Sequence, residues 1–208
     1  MALTKVIGNG LGTLGDGTAN DTKIVFDGNA QDFHVGLDDS NDSLTIGLGS
    51  ALGTTSHIVI DANGHVTKPL NPMFNASEAS TRSNMGINTT INMNFDQITD
   101  VNGDYADDPG TFTAPVTGKY LLTVTLVMLQ VDTDYTSVEV IINTSNRNYS
   151  NVIGPAVFDQ DATYWSMTTT AVADMDANDT AIIQFASGGG AEQLDISASS
   201  HYSGCLIG

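Results

Sequence analysis

Aspartates grouped in polar stretches are the side chains of this sequence best suited to chemistry. Asp104, Asp107 and Asp108 lie close together along the chain, and Asp174 and Asp176 form a second group further on. Calcium is a hard cation that takes several oxygen ligands, and carboxylates in loops commonly supply them. These five aspartates are therefore the predicted calcium ligands, and a solvated acidic loop is the alternative for each group.

The stretch from Asp174 to Asp179 begins like a calcium loop but does not continue as one. An EF-hand loop has glycine at its sixth position and glutamate at its twelfth. Those positions are Asp179 and Phe185 here. A turn before a strand over residues 181–185 is the other interpretation, so calcium is possible and no cofactor is required.

Two tyrosines, Tyr135 and Tyr149, lie beside stretches rich in Asp, Asn and Ser. An aromatic ring in such surroundings offers an apolar face to a sugar while its hydroxyl stays hydrogen-bonded. Both are candidate ligand-binding residues, and ordinary tyrosines at strand ends are the alternative.

The motifs of common enzymes are missing from this sequence. Its histidines have no metal-binding spacing, and no G-x-S-x-G is present. Residues 10–15 match the dinucleotide pattern G-x-G-x-x-G, but the acidic stretch Asp16–Asp21 that follows is a poor helix and would repel a pyrophosphate. We predict that the protein is not an enzyme. Two carboxylates can always be found among 24 acidic residues, so a glycan-cleaving enzyme remains an alternative.

The charge balance excludes two classes of partner. The chain has 208 residues, of which 24 are acidic and 6 basic, giving a net charge of −18. Nucleic acid and anionic membranes both require a basic surface. No segment approaches the roughly 18 apolar residues of a membrane helix, so no membrane insertion is expected. Cys205 is the only cysteine, and we expect it to be a small buried apolar residue.

Glycine and aspartate dominate the composition, and no apolar pattern has a helical period, so we predict an all-β protein. Residues 1–68 are expected to form a small β domain that is too poor in large side chains to be stable alone and gains its core by packing against copies of itself. Two prolines in the stretch Lys68–Pro72, Pro69 and Pro72, predict a short stiff linker. The predicted strands of the small domain are Lys23–Asp27, Asp32–Leu37, Ser43–Leu48 and His57–Asp61.

The longest strand of the second domain, residues 69–208, begins near Tyr120, just after the stretch Gly110–Tyr120. One face of this strand is wholly apolar, and the other is apolar in part, from Leu121 to Leu129. Such a strand lies between a core and a second contact, for which a neighbouring subunit is a candidate. The predicted strands lie near 71–75, 91–95, 111–114, 118–130, 137–145, 163–173, 180–187 and 193–207.

Five stretches occur in an order and spacing that resemble the globular head of complement C1q and the related TNF-like jelly rolls. They are Asn94–Phe95, Val101–Tyr105, Gly110–Tyr120, Met175–Thr180 and Tyr202–Ile207. The resemblance covers about residues 70–208. It implies a two-sheet jelly roll and a homotrimer, and many such heads bind calcium near the trimer axis. Ligands would be bound through variable loops, which the resemblance does not identify.

The stretch from Gly15–Asp21 to Ile60–Gly64 resembles modules of structural proteins of tailed phages, especially marine ones. This resemblance implies a virion protein: a homotrimeric fibre or appendage on the tail or capsid. Its N-terminal domain would bind other virion proteins, and its head would face outward, where it could contact host-surface glycans. A capsid decoration protein without receptor role and a free C1q-like recognition protein are the alternatives.

Overall fold

The computed structural model describes residues 14–191 and 193–208. The chain divides into two compact units between Asn71 and Pro72, a few residues after the predicted boundary. Secondary structure is almost entirely strand, with short 3₁₀ turns at Asp39–Asn41 and Pro155–Val157. Within these residues, no helix is long and apolar enough to span a membrane. The prediction of an all-β protein is confirmed.

The N-terminal unit is a single five-stranded antiparallel sheet in the order β1-β2-β3-β4-β5. Each strand is joined to the next in the chain, so the sheet is a meander. Four of the five strands lie where the sequence predicts them, and the short β5 was not predicted. The strands are β1 (Thr22–Phe26), β2 (Phe33–Asp38), β3 (Ser43–Leu48), β4 (Ser56–Ile60) and β5 (Val66–Thr67).

The C-terminal unit contains two sheets that face each other as a jelly-roll sandwich. One sheet has the order β13-β12-β15-β10-β9 with β7 paired to β15, and the other has the order β14-β11-β17-β6-β8 with β16 paired to β11. The strands of this unit are β6 (Met73–Ser77), β7 (Thr90–Met93), β8 (Asp96–Asp100), β9 (Tyr105–Ala106), β10 (Thr111–Thr113), β11 (Gly118–Val131), β12 (Tyr135–Thr144), β13 (Asn148–Ile153), β14 (Ala162–Met175), β15 (Thr180–Gly189), β16 (Asp195–Ile196) and β17 (His201–Leu206).

The core of this sandwich is built on β11. Its apolar face, from Tyr120 to Met128, is fully buried, as the period-two pattern predicts. An aromatic group surrounds Phe74, whose ring stacks on Tyr105 and Phe112 and meets Tyr202 edge-on, all with centroids within 4.9 Å. Contacts between chain-distant strands fix the position of both sheets, so the outward residues of each sheet form a defined surface.

The structure differs from the predicted strands where local sequence is weakest. Residues 193–207 form two strands, β16 and β17, because a turn closed by the Ser200 N–H on the Ser197 carbonyl separates them. Strands β8, β9 and β13 were not predicted. Gly118 is the first residue of β11, and a Cβ there would lie 2.7 Å from Leu206 Cδ1 and 2.8 Å from Gly208 O, so glycine permits residues 206–208 to approach.

Candidate functional site

Apart from Lys119 and Asp174, which pair at one end, the outward residues of β6, β17, β11 and β14 form a surface without an aspartate, glutamate, lysine or arginine. We call it the uncharged face. Cross-strand pairing places its members side by side, as in the row Val172, Leu121, Cys205 and Met73. The face consists of Met73, Asn75, Ser77, Leu121, Thr123, Thr125, Val127, Leu129, Tyr164, Ser166, Thr168, Thr170, Val172, His201, Ser203 and Cys205.

The polar members of the uncharged face bond to one another rather than to charged groups. Thr125 and Thr168 share a hydrogen bond of 2.9 Å between their hydroxyls, and Thr123 and Thr170 make the same kind of pair. Charge appears at the borders of the face: the Lys119 ammonium bonds to the Asp174 carboxylate at one end, Asp195 pairs with Leu129 at the other, and Asp96 pairs with Ser77 on the neighbouring strand β8. Excluding carboxylates from this surface is notable in a chain with a net charge of −18.

The apolar members of the face are exposed around an open groove. Val172 is 55% exposed, Met73 48% and Leu121 37%. The groove has a volume of about 430 Å³, and Met73, Leu121 and Cys205 lie along it. The sequence predicts that Cys205 is buried in the core, but its side chain is only half-buried and lies at this groove. Apolar side chains grouped this way favour contact with another protein surface.

In the first group of predicted calcium ligands, Asp107 and Asp108 accept hydrogen bonds from different residues. Asp107 Oδ1 accepts the Gln97 N–H at 2.7 Å, and Asp108 Oδ1 accepts from Asn94 Nδ2 at 3.4 Å. The charge of Asp100 acts on Asp104, and Asp100 Oδ2 accepts the Tyr105 N–H at 2.9 Å. The remaining oxygens, Asp100 Oδ1 and Asp104 Oδ2, are buried and have no hydrogen-bond partner.

The surroundings of Asp104 disfavour the charged form of its carboxyl group. Burial raises the pKa of its carboxyl above the ordinary 3.8, and the charge of Asp100 adds to the rise, while a hydrogen bond from Asn102 opposes it. Two carboxylate oxygens without donors are what a cation would contact, but calcium needs about six to eight oxygens. Backbone and water oxygens would have to supply the rest.

Replacing Asp104 by asparagine is expected to stabilise the protein in chelator at pH 7, by up to about 1 kcal/mol. The substitution removes a desolvated charge beside Asp100. Because the folded pKa of Asp104 is raised, its stabilising contribution is full below pH 3.8 and is lost as pH rises through the folded pKa. Thermal unfolding at pH 4.5 and 7 therefore gives a larger difference at pH 7. A less stable Asp104→Asn variant in chelator would contradict this account, and a calcium-dependent rise in Tm that only the wild type shows would place the ion here.

The second group closes the predicted turn between β14 and β15. Asp176 Oδ1 accepts from the Thr117 hydroxyl at 3.4 Å, and its N–H donates to Asp179 Oδ2 at 2.8 Å. Asp174 bonds to Lys119, and that hydrogen bond and charge lower the pKa of Asp174. The turn is present as predicted. Within the described ranges, no three His, Cys, Asp or Glu side chains come close enough to hold a metal, and calcium stays a prediction.

Tyr135 is not a surface residue, and its predicted ligand contact is corrected. The side chain is fully buried, and its hydroxyl accepts the Leu194 N–H at 3.2 Å. No face of the ring is available to a sugar. Tyr149 on β13 packs partly against the core opposite Ile142, and its ligand contact stays a prediction.

The sequence predicts one part of the uncharged face but not its full extent. The second face of β11, from Leu121 to Leu129, was singled out as a contact surface. Its neighbours on β14 alternate Tyr164, Ser166 and Thr168 with core residues, which is a readable period-two signal. The sequence does not say that β14 and β17 flank β11, so the whole face could not be assembled from it.

This architecture of two antiparallel sheets, with β14, β11, β17, β6 and β8 in one of them, defines a jelly-roll sandwich of the C1q and TNF type. Residues 74–207 match the C1q domain family. The chain belongs to this family, as predicted from its motifs. Domains of this type are binding modules that commonly form homotrimers. The N-terminal sheet lies outside the matched residues.

Three solved structures illustrate the similarity in fold. The globular domain of zebrafish complement 1qA protein has 18% identity, with 66% of this chain and 98% of that chain covered and a TM-score of 0.49. Murine APRIL at pH 8.0 has 10% identity, 66% and 99% coverage and a TM-score of 0.48. Eiger TNF from S. frugiperda has 10% identity, 67% and 92% coverage and a TM-score of 0.46. Comparison with curated protein sequences gives no significant match.

Proposed function

We propose that this protein is a homotrimeric recognition protein in which the C1q domain is the binding head. The uncharged face carries the proposal. Three copies triple the charge of −18, so association is least opposed through a surface from which carboxylates are excluded. Exposed Val172, Met73 and Leu121 supply apolar area to bury there. Around a threefold axis, different parts of this face on neighbouring copies would meet in a heterologous contact, which closes the ring.

The setting of this trimer is the finer part of the proposal. We place it in the virion of a tailed bacteriophage, as a fibre or appendage on the tail or capsid. The resemblance of the stretch from Gly15–Asp21 to Ile60–Gly64 supports this setting. The N-terminal sheet would attach to other virion proteins, and the head would bind host-surface glycans with an avidity raised by three copies. Finding the chain among the proteins of purified phage particles tests the setting.

The solution mass of the purified protein tests the trimer. Light scattering is expected to give a mass of three chains, in calcium and in chelator alike if the ion is a bystander. A trimer that dissociates only in chelator makes calcium part of the assembly, through Asp104 and its neighbours. A monomer in both conditions would overturn the proposal, since the uncharged face would then have no partner of its own kind.

A further inference from the structure

The N-terminal sheet places its large apolar side chains on one face. Strand pairing aligns them in three rows across the sheet. The middle row is Ile24, Val35, Ile46 and Ile58, and its neighbours on one side are Phe26, Phe33 and Leu48. Together with the third row they form what we call the apolar face, which consists of Ile24, Phe26, Phe33, Val35, Leu37, Leu44, Ile46, Leu48, Ile58, Ile60 and Val66.

The apolar face is open to solvent in a single chain. Val66 is 61% exposed, Phe26 60% and Leu37 49%. In the described part of this unit, residues 14–71, no apolar side chain is buried, whereas the core of the protein begins at Phe74. A sheet with one layer has no interior, and stable domains need at least two layers. The unit therefore lacks a core unless something covers this face.

The opposite face cannot serve as the core because it is polar and already covered. His34, Thr45, Asp38 and Ser43 are all buried there. The segment 49–55 lies over them: Gly49 O is 2.9 Å from His34 Nδ1, and a Cβ on Gly53 would lie 2.9 Å from Asp38 Oδ2. The chain itself thus covers these four polar residues, whereas it leaves the apolar face uncovered.

We propose that two further copies of this chain cover the apolar face, so that three N-terminal sheets form a shared core. The proposal rests on the proposed homotrimer. A cover needed for folding must be present wherever the chain is made, and the chain's own copies meet that condition. Charge also favours copies: the aspartates of this unit lie in its turns and on the opposite face, and none lies on the apolar face.

The size of the face explains why it depends on the head. Five strands about 4.8 Å apart, with about five residues rising ~3.3 Å each, give a face of roughly 400 Å² per chain. Three such faces remove roughly 1,200 Å² in all, or roughly 400 Å² for each pair of copies, which is well below the roughly 1,200 Å² of a specific interface between two proteins. Residues 68–72 link each sheet to a head, and a short link raises the local concentration of the sheets to the millimolar range. The heads would thereby hold together sheets that could not associate alone.

Salt distinguishes copies from a basic partner. The rim of the apolar face carries aspartates such as Asp27, Asp32 and Asp61, which repel one another when copies meet. Screening of this repulsion makes the association of copies stronger as salt rises from low to physiological concentration. A basic partner attracted to the same rim would bind more weakly with added salt.

Replacing Ile46 by glutamate in the full chain tests the proposal. Ile46 lies in the middle row, and a glutamate there would bring three carboxylates into the shared core. We expect the trimer mass to persist through the heads, while amide hydrogen exchange in β2 and β3 becomes faster by roughly a hundredfold. Leu70→Glu is the matched control, because Leu70 is 44% exposed and lies off the sheet. This control should keep the slow exchange of the wild type.

The outcomes separate this inference from the proposed function. A monomeric wild type overturns the homotrimer itself. A trimeric wild type whose β2 and β3 amides exchange as slowly after Ile46→Glu overturns only the shared core. A cross-linking experiment checks the same point without relying on loss of structure. In a Cys205→Ser background, Phe33→Cys is expected to cross-link copies under mild oxidation. Thr54→Cys, which lies on the covered side, is the control and should not cross-link. Failure of Phe33→Cys to cross-link would assign the face to a different partner.

Discussion

Replacing Leu121 by aspartate is expected to lower the solution mass of the protein from three chains to one. Leu121 lies at the centre of the row Val172, Leu121, Cys205 and Met73 on the uncharged face. A single substitution places three carboxylates in the threefold interface, each desolvated and without a basic partner. Burying such a charge costs several kcal/mol per copy, which exceeds what the groove and its apolar rim would contribute.

We attribute the effect of Leu121→Asp to the position of the residue and not to the added charge itself. A control with the same change in charge at another exposed apolar residue is therefore needed. Val152→Asp makes the same change in charge at an apolar residue that is 58% exposed and lies on β13, in the other sheet. This variant should remain trimeric. Circular dichroism of Leu121→Asp should retain the strand signal, because Leu121 is 37% exposed in one chain and its replacement leaves the core of that chain intact. A trimeric Leu121→Asp protein would remove the uncharged face from the interface.

The main features of the head could be predicted because they are local. The stretch Gly110–Tyr120 and the alternation of β11 gave the longest strand and its buried face. Tyr135 was misjudged for the opposite reason. Its neighbours in sequence are polar, but the ring points into a core made by distant strands, and its hydroxyl meets the Leu194 N–H. Flanking residues report the polarity of a loop and not the direction of one side chain.

The acidic residues show a second limit of sequence reasoning. Asp104, Asp107 and Asp108 are close in sequence, yet each has a different partner, namely Asn102, Gln97 and Asn94. Aspartates favour turns because their oxygens accept local N–H groups, so a cluster of them need not converge on one point. Asp100 and Asp104 influence each other electrostatically, and each has one buried oxygen without a donor, which only a structure reveals.

The N-terminal sheet shows both what local sequence can predict and what depends on the pairing of strands. Its strands were predicted from short apolar runs bounded by Asp, Asn and Gly, and its need for copies was predicted from its small size. Pairing of β1 to β5 then shows which residues share a face: Ile24, Val35, Ile46 and Ile58 line up across four strands. Each strand alone contributes only one to three residues to the apolar face, so the extent of the face depends on register, which sequence leaves open.

Replacing Arg82 by methionine is expected to destabilise the head by about 3 kcal/mol. Glu78 is 6% exposed, and Arg82 Nε lies 3.2 Å from both of its carboxylate oxygens, donating to Oε2. The same guanidinium donates to the carbonyls of Asn92 and Asn94 at 3.3 and 3.0 Å. Methionine preserves the packing of the stem but leaves the Glu78 carboxylate buried without a cation. In a domain of this size, the loss corresponds to a fall in Tm of about 10 °C.

The destabilisation by Arg82→Met should depend on pH, with a sign fixed by Glu78. Burial raises the pKa of Glu78 above its ordinary 4.5, the charge of Arg82 opposes the rise, and Asp96 adds to it. Without Arg82 the pKa rises further. A folded pKa above the unfolded one means that the folded state binds the extra proton, so stability is greatest below pH 4.5 and falls as pH rises through the folded pKa. Thermal unfolding should therefore show a smaller defect at pH 4.5 than at pH 7.

A double substitution distinguishes the buried charge from the lost hydrogen bonds. Glu78→Gln combined with Arg82→Met removes the carboxylate, so most of the stability lost at pH 7 should return and its extra pH dependence should disappear. The part that does not return measures the contacts of Arg82 with Asn92 and Asn94, which tie the segment before β7 to the rest of the sheet. If the double variant were as unstable at pH 7 as Arg82→Met alone, those carbonyl contacts, and not the pairing of Glu78, would be the role of Arg82.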